Sequence, residues 1–531
     1  MPTDCVTYQD SGYFSNSIVD YLDEKAELRA LYNRFPKIDN FGQQIDEKRN
    51  NYPLINRQIL FDTLAKQYED VNSSEKTAAN IKLLQLVNTF TVTTGHQLNL
   101  FTGPLYFLYK IISTINLCKE LKLKYPSENF VPIYWMATED HDFDEINYFK
   151  VVDKTFRWNK ESFGPVGRLD TAGLDDVFDT FSTELGLGNN ANYLRELFQK
   201  SYLEHQNLTA ATRFLANELF KNEGLVIIDG DDVELKKLFI PFAKNELVHQ
   251  TSYKKVTETI SKFGEYPIQV NPREINLFYI QDNLRERIIY EKGFYKVNNT
   301  NLSFTEREII TELELNPQNF SPNVILRPLY QEVLLPNLCY IGGGGEIAYW
   351  LELKSNFEAN NITFPMLLVR NSVLLVTQKQ VGKLDKLALK WHDVFLTQKA
   401  LSDKKTKELS ALKIDFSEQK ATLQKQFEAL HAIALQTDKS FTGAVKAQEQ
   451  KQIKGLENLE KRLLKAERNI HASTLQRIFE IQNALFPNHS LQERTQNFAS
   501  IHAEISDYDS FLQKLLNQLH PLEQNFTIII I

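Results

Sequence analysis

The chain has 531 residues, of which 42% are hydrophobic and 24% charged, and its formal net charge is −8. This composition excludes wholesale disorder, and the length predicts about three domains. The acidic balance excludes a polyanion-binding surface, so nucleic acid is not expected as a partner, although a local basic pocket stays compatible with the negative net charge.

The cysteines and the N-terminus indicate where the protein resides. Cys5, Cys118 and Cys339 show no CxxC or zinc-like spacing, which is typical of a reducing compartment and not of a disulfide framework. The N-terminal segment lacks a basic region followed by an apolar stretch, so no signal peptide is expected. No run approaches the roughly 20 apolar residues that cross a bilayer. We therefore expect a cytoplasmic protein without a membrane partner.

The first 85 residues are predicted to be mostly helical. Apolar stripes with helical spacing begin at Ile18 and at Ile59. We interpret 1–85 as a helical lead-in that packs on the domain that follows.

Short apolar runs then alternate with helical patterns. Each run ends in polar residues or glycines, and the five runs are 90–94, 131–136, 225–228, 339–341 and 365–369. Near-continuous apolar strands alternating with helices indicate an α/β fold with a parallel sheet covered on both faces. Residues 86–150 and 326–375 are assigned to the two parts of this core. Because ligands of such sheets bind beyond the carboxyl ends of the strands, the polar strand ends point to a site there.

The region between the two core parts has a different pattern. Alternation typical of antiparallel strands occurs at 156–158, 268–270, 277–280 and 288–290. We predict that 151–325 is an inserted α+β subdomain that forms a wall or a lid of the cleft, interrupted by the core strand near 225–228.

A long helical arm is predicted for 376–486. This stretch has no proline and only three glycines. Leucine-rich heptads run through 409–434 and 456–470, and Gly443 with its neighbours is predicted to form the turn of a coiled-coil hairpin. The apolar seam favours a homodimer through the arm. Residues 487–531 are expected to return as helices, with Ile528–Ile531 buried or paired.

The first candidate for chemistry is the strand-to-helix turn at 94–104. A glycine-containing turn before a helix can hold a phosphate or a carboxylate through backbone N–H groups. The alternative is a capped helix after a tight turn. The candidate residues here are Thr94, Gly95, His96, Gln97, Asn99, Thr102 and Gly103.

The second candidate is the acidic run at 139–145. Five carboxylates and one imidazole within seven residues would repel one another unless a substrate ammonium, an arginine or Mg²⁺ lies among them. The alternative is a solvated loop that caps the next helix. No further His or Cys pair has the spacing of a zinc site, so no metal site is assigned. The candidate residues are Glu139, Asp140, His141, Asp142 and Asp144.

The third candidate combines a helix start at Arg327 with the four glycines at 342–345. Glycines at a strand-to-helix turn let a ligand approach the backbone closely. The run is neither GxGxxG nor a Walker loop, and the alternative is a flexible turn. The candidate residues are Arg327, Gln331, Gly343, Gly344, Glu346, Tyr349 and Trp350.

Four segments together give a family resemblance. They are TTGHQLNLFTGPLYFLYKIIS, PIYWMATEDHDFDEIN, RPLYQEVLLPNLCYIGGGGEIAYWLELK and the late LQER. In this order, across most of the chain, they resemble the bacillithiol-biosynthesis cysteine-adding enzymes. The resemblance implies a Rossmann-like core similar to that of class I synthetases and nucleotidyltransferases, with connecting insertions and a dimerising coiled coil. A single His96 stands where class I synthetases carry paired histidines, and no KMSKS-like loop is present.

The resemblance implies a carbon–nitrogen ligase that carries out the last step of bacillithiol synthesis. Such an enzyme joins the carboxyl group of cysteine to the amine of glucosaminyl-malate. Because a free carboxylate must be activated, ATP with Mg²⁺ is the expected cofactor. We expect the 96–104 turn and the glycines near Gly344 to hold anionic groups, the acidic run to bind an ammonium, and His96 or His141 to act as base. A ligase for another acid–amine pair and a catalytically dead coiled-coil scaffold are the alternatives.

Overall fold

The structure is a computed structural model that describes residues 5–531. Its strands are β1 (Cys5–Thr7), β2 (Thr89–His96), β3 (Asn129–Met136), β4 (Tyr148–Val151), β5 (Lys154–Arg157), β6 (Val226–Asp229), β7 (Leu277–Gln281), β8 (Leu284–Glu291), β9 (Phe294–Val297), β10 (Ser303–Phe304), β11 (Phe320–Pro322), β12 (Asn337–Gly342), β13 (Met366–Val369), β14 (Ser372–Val376) and β15 (Asn525–Ile530).

The α-helices are α1 (Tyr8–Ser11), α2 (Asn16–Leu22), α3 (Phe41–Asn51), α4 (Leu54–Gln67), α5 (Glu75–Leu83), α6 (Tyr106–Lys124), α7 (Phe143–Ile146), α8 (Leu174–Glu184), α9 (Asn189–Phe198), α10 (Leu208–Phe220), α11 (Val233–His249), α12 (Thr251–Ile260), α13 (Glu306–Leu315), α14 (Arg327–Leu334), α15 (Gly344–Leu351), α16 (Lys354–Ala359), α17 (Gln378–Lys386), α18 (Trp391–Val394), α19 (Gln398–Leu409), α20 (Ser417–Ala434), α21 (Lys439–Ile470), α22 (Ala472–Leu485), α23 (Gln492–Thr495) and α24 (Tyr508–Gln518). Within residues 5–531, no helix combines the length and hydrophobicity needed to cross a membrane.

A five-stranded parallel sheet forms the core. Its order is β13-β12-β2-β3-β6, and all four neighbouring pairs are parallel. Every residue of β2 and of β12 is buried, as expected for strands covered by helices on both faces. The predicted α/β fold with a Rossmann-like parallel sheet is confirmed. The chain extends the sheet outward from β2 in one direction and from β12 in the other, so the topological switch point lies between these two strands.

The inserted region contains an antiparallel sheet of order β10-β9-β8-β7-β11 and a β4–β5 hairpin. The strand predicted at 268–270 is wrong. The backbone N–H groups of Gln269 and Val270 donate to the buried carboxylate of Glu352, at 2.6 and 3.2 Å. Because a side chain already accepts from these N–H groups, the segment does not pair as a strand.

The coiled-coil arm is confirmed, but the position of its turn was predicted wrongly. Helices α20 and α21 pack against each other, and Phe427, Ala434 and Val445 form a small buried cluster between them. The turn lies at 435–438, and Gly443 lies inside α21. Asp438 caps α21 by accepting from the N–H of Phe441 at 2.9 Å, and this capping group sets the helix start more strongly than a glycine five positions later.

The C-terminal segment is helical only as far as Gln518, and its end is a strand rather than the expected helix. Strand β15 pairs in parallel with β14 and antiparallel with β1, the short strand at the start of the region that was predicted to be mostly helical. Ile528 and Ile529 are buried. The expectation that the terminal isoleucines are buried or paired is therefore confirmed.

Candidate active site

A cavity of about 890 Å³ opens at the carboxyl edge of the parallel sheet. His96 at the end of β2, Asp140 after β3, Gly343 after β12 and Arg370 after β13 line its core side. The opposite wall comes from the inserted subdomain, through β8 and the loop before β7. The cavity thus lies at the switch point of the sheet, where ligands of open α/β sheets bind.

The lining of the cavity is strongly cationic although the whole chain is acidic. Seven cationic side chains face three carboxylates, a surplus of four positive charges. The cationic residues are Lys110, Arg273, Arg285, Arg287, Arg327, Arg370 and Arg494, and the carboxylates are Glu139, Asp140 and Glu346. Such a cavity attracts and orients an anionic ligand.

The buried Lys110 and the half-buried Glu346 form an ion pair beside the switch point. The Lys110 Nζ lies 2.6 Å from Glu346 Oε2 and donates to the Gly95 carbonyl at 2.7 Å. Glu346 also accepts from the Tyr340 hydroxyl at 2.7 Å and from the Gly343 N–H at 2.8 Å. Burial alone would raise the pKa of Glu346, but the charge and hydrogen bond of Lys110 outweigh burial and lower the pKa. The carboxylate therefore stays ionised and anchors the first turn of α15.

His96 is a buried, neutral imidazole that lines the cavity. Its Nδ1 lies 2.7 Å from the Gln97 carbonyl, so we assign the ring proton to Nδ1. Its Nε2 has no hydrogen-bond partner among the described residues. Burial and then the charge of Lys110 lower the pKa of His96 to about 3. At neutral pH the ring is therefore a hydrogen-bond acceptor and a weak base.

Arg327 is held over the cavity by residues of its own helix and of α15. It donates to Gln331 Oε1 at 3.0 Å and to the Tyr349 hydroxyl at 3.4 Å. A Cβ at Gly95 would lie 3.3 Å from the Tyr340 hydroxyl and 3.7 Å from Arg327, so glycine leaves room for this packing. Tyr349 lines the cavity, whereas Gln331 is fully buried beneath it.

The carboxylates of the acidic run were expected to surround one cation, but in the structure their side chains lie in different places. Glu139 pairs with Lys236 at 2.8 Å, deep in the structure. Asp142 and Asp144 are exposed and do not line the cavity. The expectation of one shared site for these carboxylates is therefore wrong, because the loop after β3 turns the later ones towards solvent.

Asp140 is the member of the run that stays in the cavity with no lysine within ion-pair distance. It accepts from Gln97 Nε2 at 3.0 Å and from the His141 N–H at 2.8 Å, and Arg285 lies 3.8 Å away. Burial would raise the pKa of Asp140, but hydrogen bonds from His141 and the charge of Arg285 lower it well below its usual range. His141 itself does not line the cavity, and its Nδ1 accepts from Arg285 at 2.6 Å.

Hydrogen bonds from a residue of the C-terminal segment hold the 94–104 turn in place. Asn497 Nδ2 donates to the carbonyls of Phe101 and Gly103, at 2.6 Å each. The Thr94 hydroxyl donates to the Ile341 carbonyl at 2.8 Å, and Thr102 is buried away from the cavity. Of this turn, Gly95, His96 and Gln97 line the main cavity, whereas Asn99 and Gly103 line a smaller neighbouring one.

The glycine run at 342–345 divides between two environments. Gly343 lines the cavity, and so does Gly345, which the sequence analysis left out. Gly344 packs against Phe14 and Ile18 of the lead-in, and Trp350 is fully buried. The expectation that Gly344 and Trp350 face a ligand is therefore corrected, because both lie on the side of α15 that is turned to the core.

Several cavity residues were missed by the sequence interpretation. Arg273, Arg285 and Arg287 lie in the inserted subdomain, where no motif marked them. Arg370 pairs at 2.7 Å with Glu493, the neighbour of Arg494 in the late LQER segment, so that segment was the available signal for both arginines. Among residues 5–531, no cluster of three His, Cys, Asp or Glu side chains is arranged to bind a metal ion.

Comparison with known proteins identifies the family. A model described as "Bacillithiol biosynthesis BshC, N-terminal Rossmann-like domain" matches residues 1–371, and one described as "Bacillithiol biosynthesis BshC, C-terminal coiled-coil domain" matches residues 373–531.

Similar curated proteins carry the name "Putative cysteine ligase BshC". The chain is 63% identical to the one from Flavobacterium psychrophilum over 530 residues, which covers 100% of this chain and 99% of the relative. It is 63% identical to that of Flavobacterium johnsoniae over 100% of both chains, and 29% identical to that of Bacillus thuringiensis over 90% of this chain and 92% of the relative. The chain belongs to the BshC family of bacillithiol biosynthesis.

Proposed function

We propose that this protein is a ligase that forms an amide between the carboxyl group of cysteine and the amine of glucosaminyl-malate, the last step of bacillithiol synthesis. Membership of the BshC family supports the pathway. The relatives named as cysteine ligases support the reaction class. The cavity at the switch point is the site that we assign to this reaction.

The observation that carries the proposal is the surplus of four positive charges in this cavity. The malate part of glucosaminyl-malate brings two carboxylates. Arg273 and Arg287 have no ion-pair partner among the described residues, so their charges are available to a ligand. Bidentate arginine–carboxylate pairing would hold the acceptor substrate by its malate part and leave its amine free.

Asp140 and His96 are assigned to the reacting end. Asp140 stays ionised and would attract the ammonium of the acceptor. His96 presents a neutral ring, and with a pKa of about 3 it would accept a hydrogen bond rather than take a full proton. In the bond-forming step the free amine attacks the activated carbonyl carbon and forms the C–N bond. The bond from that carbon to the oxygen of the activating group breaks with its electron pair on the leaving oxygen, and the proton lost by the amine passes to the leaving group or to water.

ATP with Mg²⁺ is the activating cofactor in this proposal, because an amide does not form from a free carboxylate in water. The first N–H groups of α15 have no intrahelical partners, and Lys110, Arg327 and Arg370 surround this helix start. A Cβ at Gly345 would meet no heavy atom within 4 Å, so a phosphate has room there. These residues would hold the anionic phosphates.

A homodimer through the arm is also part of the proposal. Leu459 and Ile470 of the predicted seam both lie on α21 and are 52% and 70% exposed. Exposed leucines and isoleucines in a row along a coiled coil are typical of a surface that a second copy covers.

The direct test of this function is the thiol content of the source bacterium without this protein. We expect a deletion strain to accumulate glucosaminyl-malate and to contain no bacillithiol by mass spectrometry of labelled thiols. Purified protein should form the amide from cysteine and glucosaminyl-malate only when ATP and Mg²⁺ are added, which tests the cofactor separately.

The deletion strain is then complemented either with the wild-type gene or with a gene that carries Arg327→Ala, which alters the cavity. The Arg327→Ala copy should fail to restore bacillithiol while the wild-type copy restores it. Normal bacillithiol in the deletion strain would refute the proposed function.

A further inference from the structure

A second cavity of about 370 Å³ adjoins the main one. Gln97, Tyr106 and Arg494 line both. Gln97 bridges them, because its Nε2 donates to Asp140 on the main side at 3.0 Å and to Glu145 on the other side at 2.8 Å. A ligand in the second cavity would therefore lie next to the reacting end of the main cavity.

The second cavity offers groups of both charge signs. Lys150 and Arg494 have no ion-pair partner among the described residues. Glu145 supplies a carboxylate, and its hydrogen-bond donor from a side chain is the neutral amide of Gln97. Within the part of the chain that the structure describes, these two cations and the Glu145 carboxylate have no ion-pair partner, which matches a ligand that carries a carboxylate and an ammonium.

Asn99 adds an acceptor to the lining. Its Nδ2 donates to the Glu145 carbonyl at 3.0 Å, which determines the orientation of the amide. Its Oδ1 is buried and has no hydrogen-bond partner within residues 5–531, and the residue is only 9% exposed. A buried acceptor without a donor costs free energy, and a substrate ammonium in the cavity is a donor of the right charge.

Gly103 keeps Asn99 in place. A Cβ at Gly103 would lie 2.6 Å from the Asn99 Cβ, and the backbone there has φ +64°. Both observations exclude a larger residue, since a side chain would push Asn99 out of its position. The local backbone is thus adapted to the amide at 99.

We infer that this second cavity is the subsite for the amino-acid substrate, a small zwitterionic α-amino acid. Lys150 and Arg494 bind its carboxylate, and Glu145 with Asn99 receives its ammonium. The inference rests on the proposed function, in which that amino acid is cysteine and the main cavity holds the anionic acceptor. The shared wall at Gln97 and Tyr106 is then where the carboxyl group of one substrate meets the amine of the other.

The test is calorimetric titration of the full-length protein with L-cysteine under reducing conditions, in the presence of glucosaminyl-malate. Lys150→Ala and Asn99→Ala should each weaken cysteine binding about tenfold or more, the loss expected for one charge-assisted hydrogen bond. Lys154→Ala is the matched control, because Lys154 lies on the adjacent strand β5 and does not line either cavity. Arg273→Ala should weaken binding of glucosaminyl-malate and leave cysteine binding unchanged.

Substrate fragments give a second readout. Cysteamine lacks the carboxylate and 3-mercaptopropionate lacks the ammonium, so neither should compete with cysteine. The inference would be overturned if cysteine affinity were unchanged in both Lys150→Ala and Asn99→Ala, or if Arg273→Ala weakened cysteine binding instead. A wild-type protein that does not bind cysteine would also overturn it.

The amide product separates this inference from the proposed function. If the wild-type protein forms the amide normally but Lys150→Ala and Asn99→Ala do not change its affinity for cysteine, the subsite is overturned and the proposed function is not. Cysteine binding that depends on Lys150 and Asn99, without any amide formation, supports the subsite and overturns the proposed ligase reaction alone.

Discussion

At the residue scale, the two aspartates Asp140 and Asp142 differ in their surroundings although they are two positions apart. Asp140 accepts hydrogen bonds from Gln97 and from the His141 N–H inside the cavity. Asp142 is exposed and lies outside the cavity lining. The pair therefore offers a chemically identical substitution in two environments.

Asp140→Asn should reduce the kcat/KM of amide formation at least tenfold, because the variant keeps the shape of the side chain and removes the charge assigned to the ammonium. Asp142→Asn should leave kcat/KM unchanged and shift stability by no more than about 0.5 kcal/mol, as is usual for exposed sites. Steady-state kinetics and thermal unfolding of both variants check this. Equal activity of the two variants would contradict the role assigned to Asp140.

The sequence shows the acidic run but not which member stays in the cavity or which basic residue pairs with each carboxylate. Lys236, the partner of Glu139, lies almost one hundred positions away, and Arg285 is farther still. Such pairs are set by the packing of the inserted subdomain against the core, and no local spacing records them. For the same reason Arg273, Arg285 and Arg287 of the cavity lining were missed, whereas Gly95, His96 and Gln97 were found because they lie at the end of a buried strand.

At the scale of elements, helix α14 connects the cavity to a buried ion pair. Arg327 donates to Gln331, Gln331 donates to Glu332 at 3.0 Å, and Glu332 pairs with Lys48 of α3 at 2.9 Å. Glu332 also accepts from Asn337 Nδ2 at 2.6 Å. The Lys48 and Glu332 side chains are 2% and 0% exposed, so this pair fixes the helix that carries Arg327 from inside the core.

Glu332→Gln should destabilise the protein by about 3–5 kcal/mol, because the charge of Lys48 is then buried without a counter-charge. The double variant Lys48→Met with Glu332→Leu removes both charges and should recover most of this stability. It should still show a raised KM for glucosaminyl-malate, since Gln331 and Arg327 have lost their support. Chemical unfolding and steady-state kinetics separate the two effects.

Asp393→Asn is the matched control for the previous substitution. Asp393 is a buried carboxylate as well, but its partner Lys404 is 44% exposed and lies at the base of the arm. The freed lysine can be hydrated, so a smaller loss of stability and an unchanged KM are expected. A KM in the double variant equal to that of the wild type would show that α14 does not need the ion pair.

The elements themselves were largely predictable. Strands β2, β3, β6, β12 and β13 are buried on both faces, and such strands appear in the sequence as near-continuous runs of apolar and β-branched residues. Two predicted elements were wrong because a side chain hydrogen-bonds to the backbone at or near each position. At 268–270 the carboxylate of Glu352, 83 positions after Gln269, accepts from the backbone N–H groups. Near Gly443, the capping side chain of Asp438 determines where α21 begins.

At the scale of the whole molecule, the exposed seam of the arm predicts the assembly state. Leu459→Glu with Leu463→Glu should convert the expected dimer into a monomer at micromolar concentration, measured by light scattering, while the core stays folded. Charges buried in an interface cost several kcal/mol unless they are paired. Leu187→Glu is the control, since Leu187 is a 99% exposed leucine outside the arm. A wild-type protein that is monomeric under these conditions would contradict the dimer.

The C-terminal segment completes the cavity, and its late position in the chain has a consequence for how the protein folds during synthesis. The groups that complete the cavity include Arg494, which lines it, and Glu493 and Asn497, which hold Arg370 and the 94–104 turn. These residues leave the ribosome only after the strands of the sheet and the arm have been synthesised, and domains tend to fold as they emerge. The nascent chain therefore carries a folded sheet with an unfinished pocket, and competence to bind substrate arises late, when the last segment docks across parts of the protein made long before.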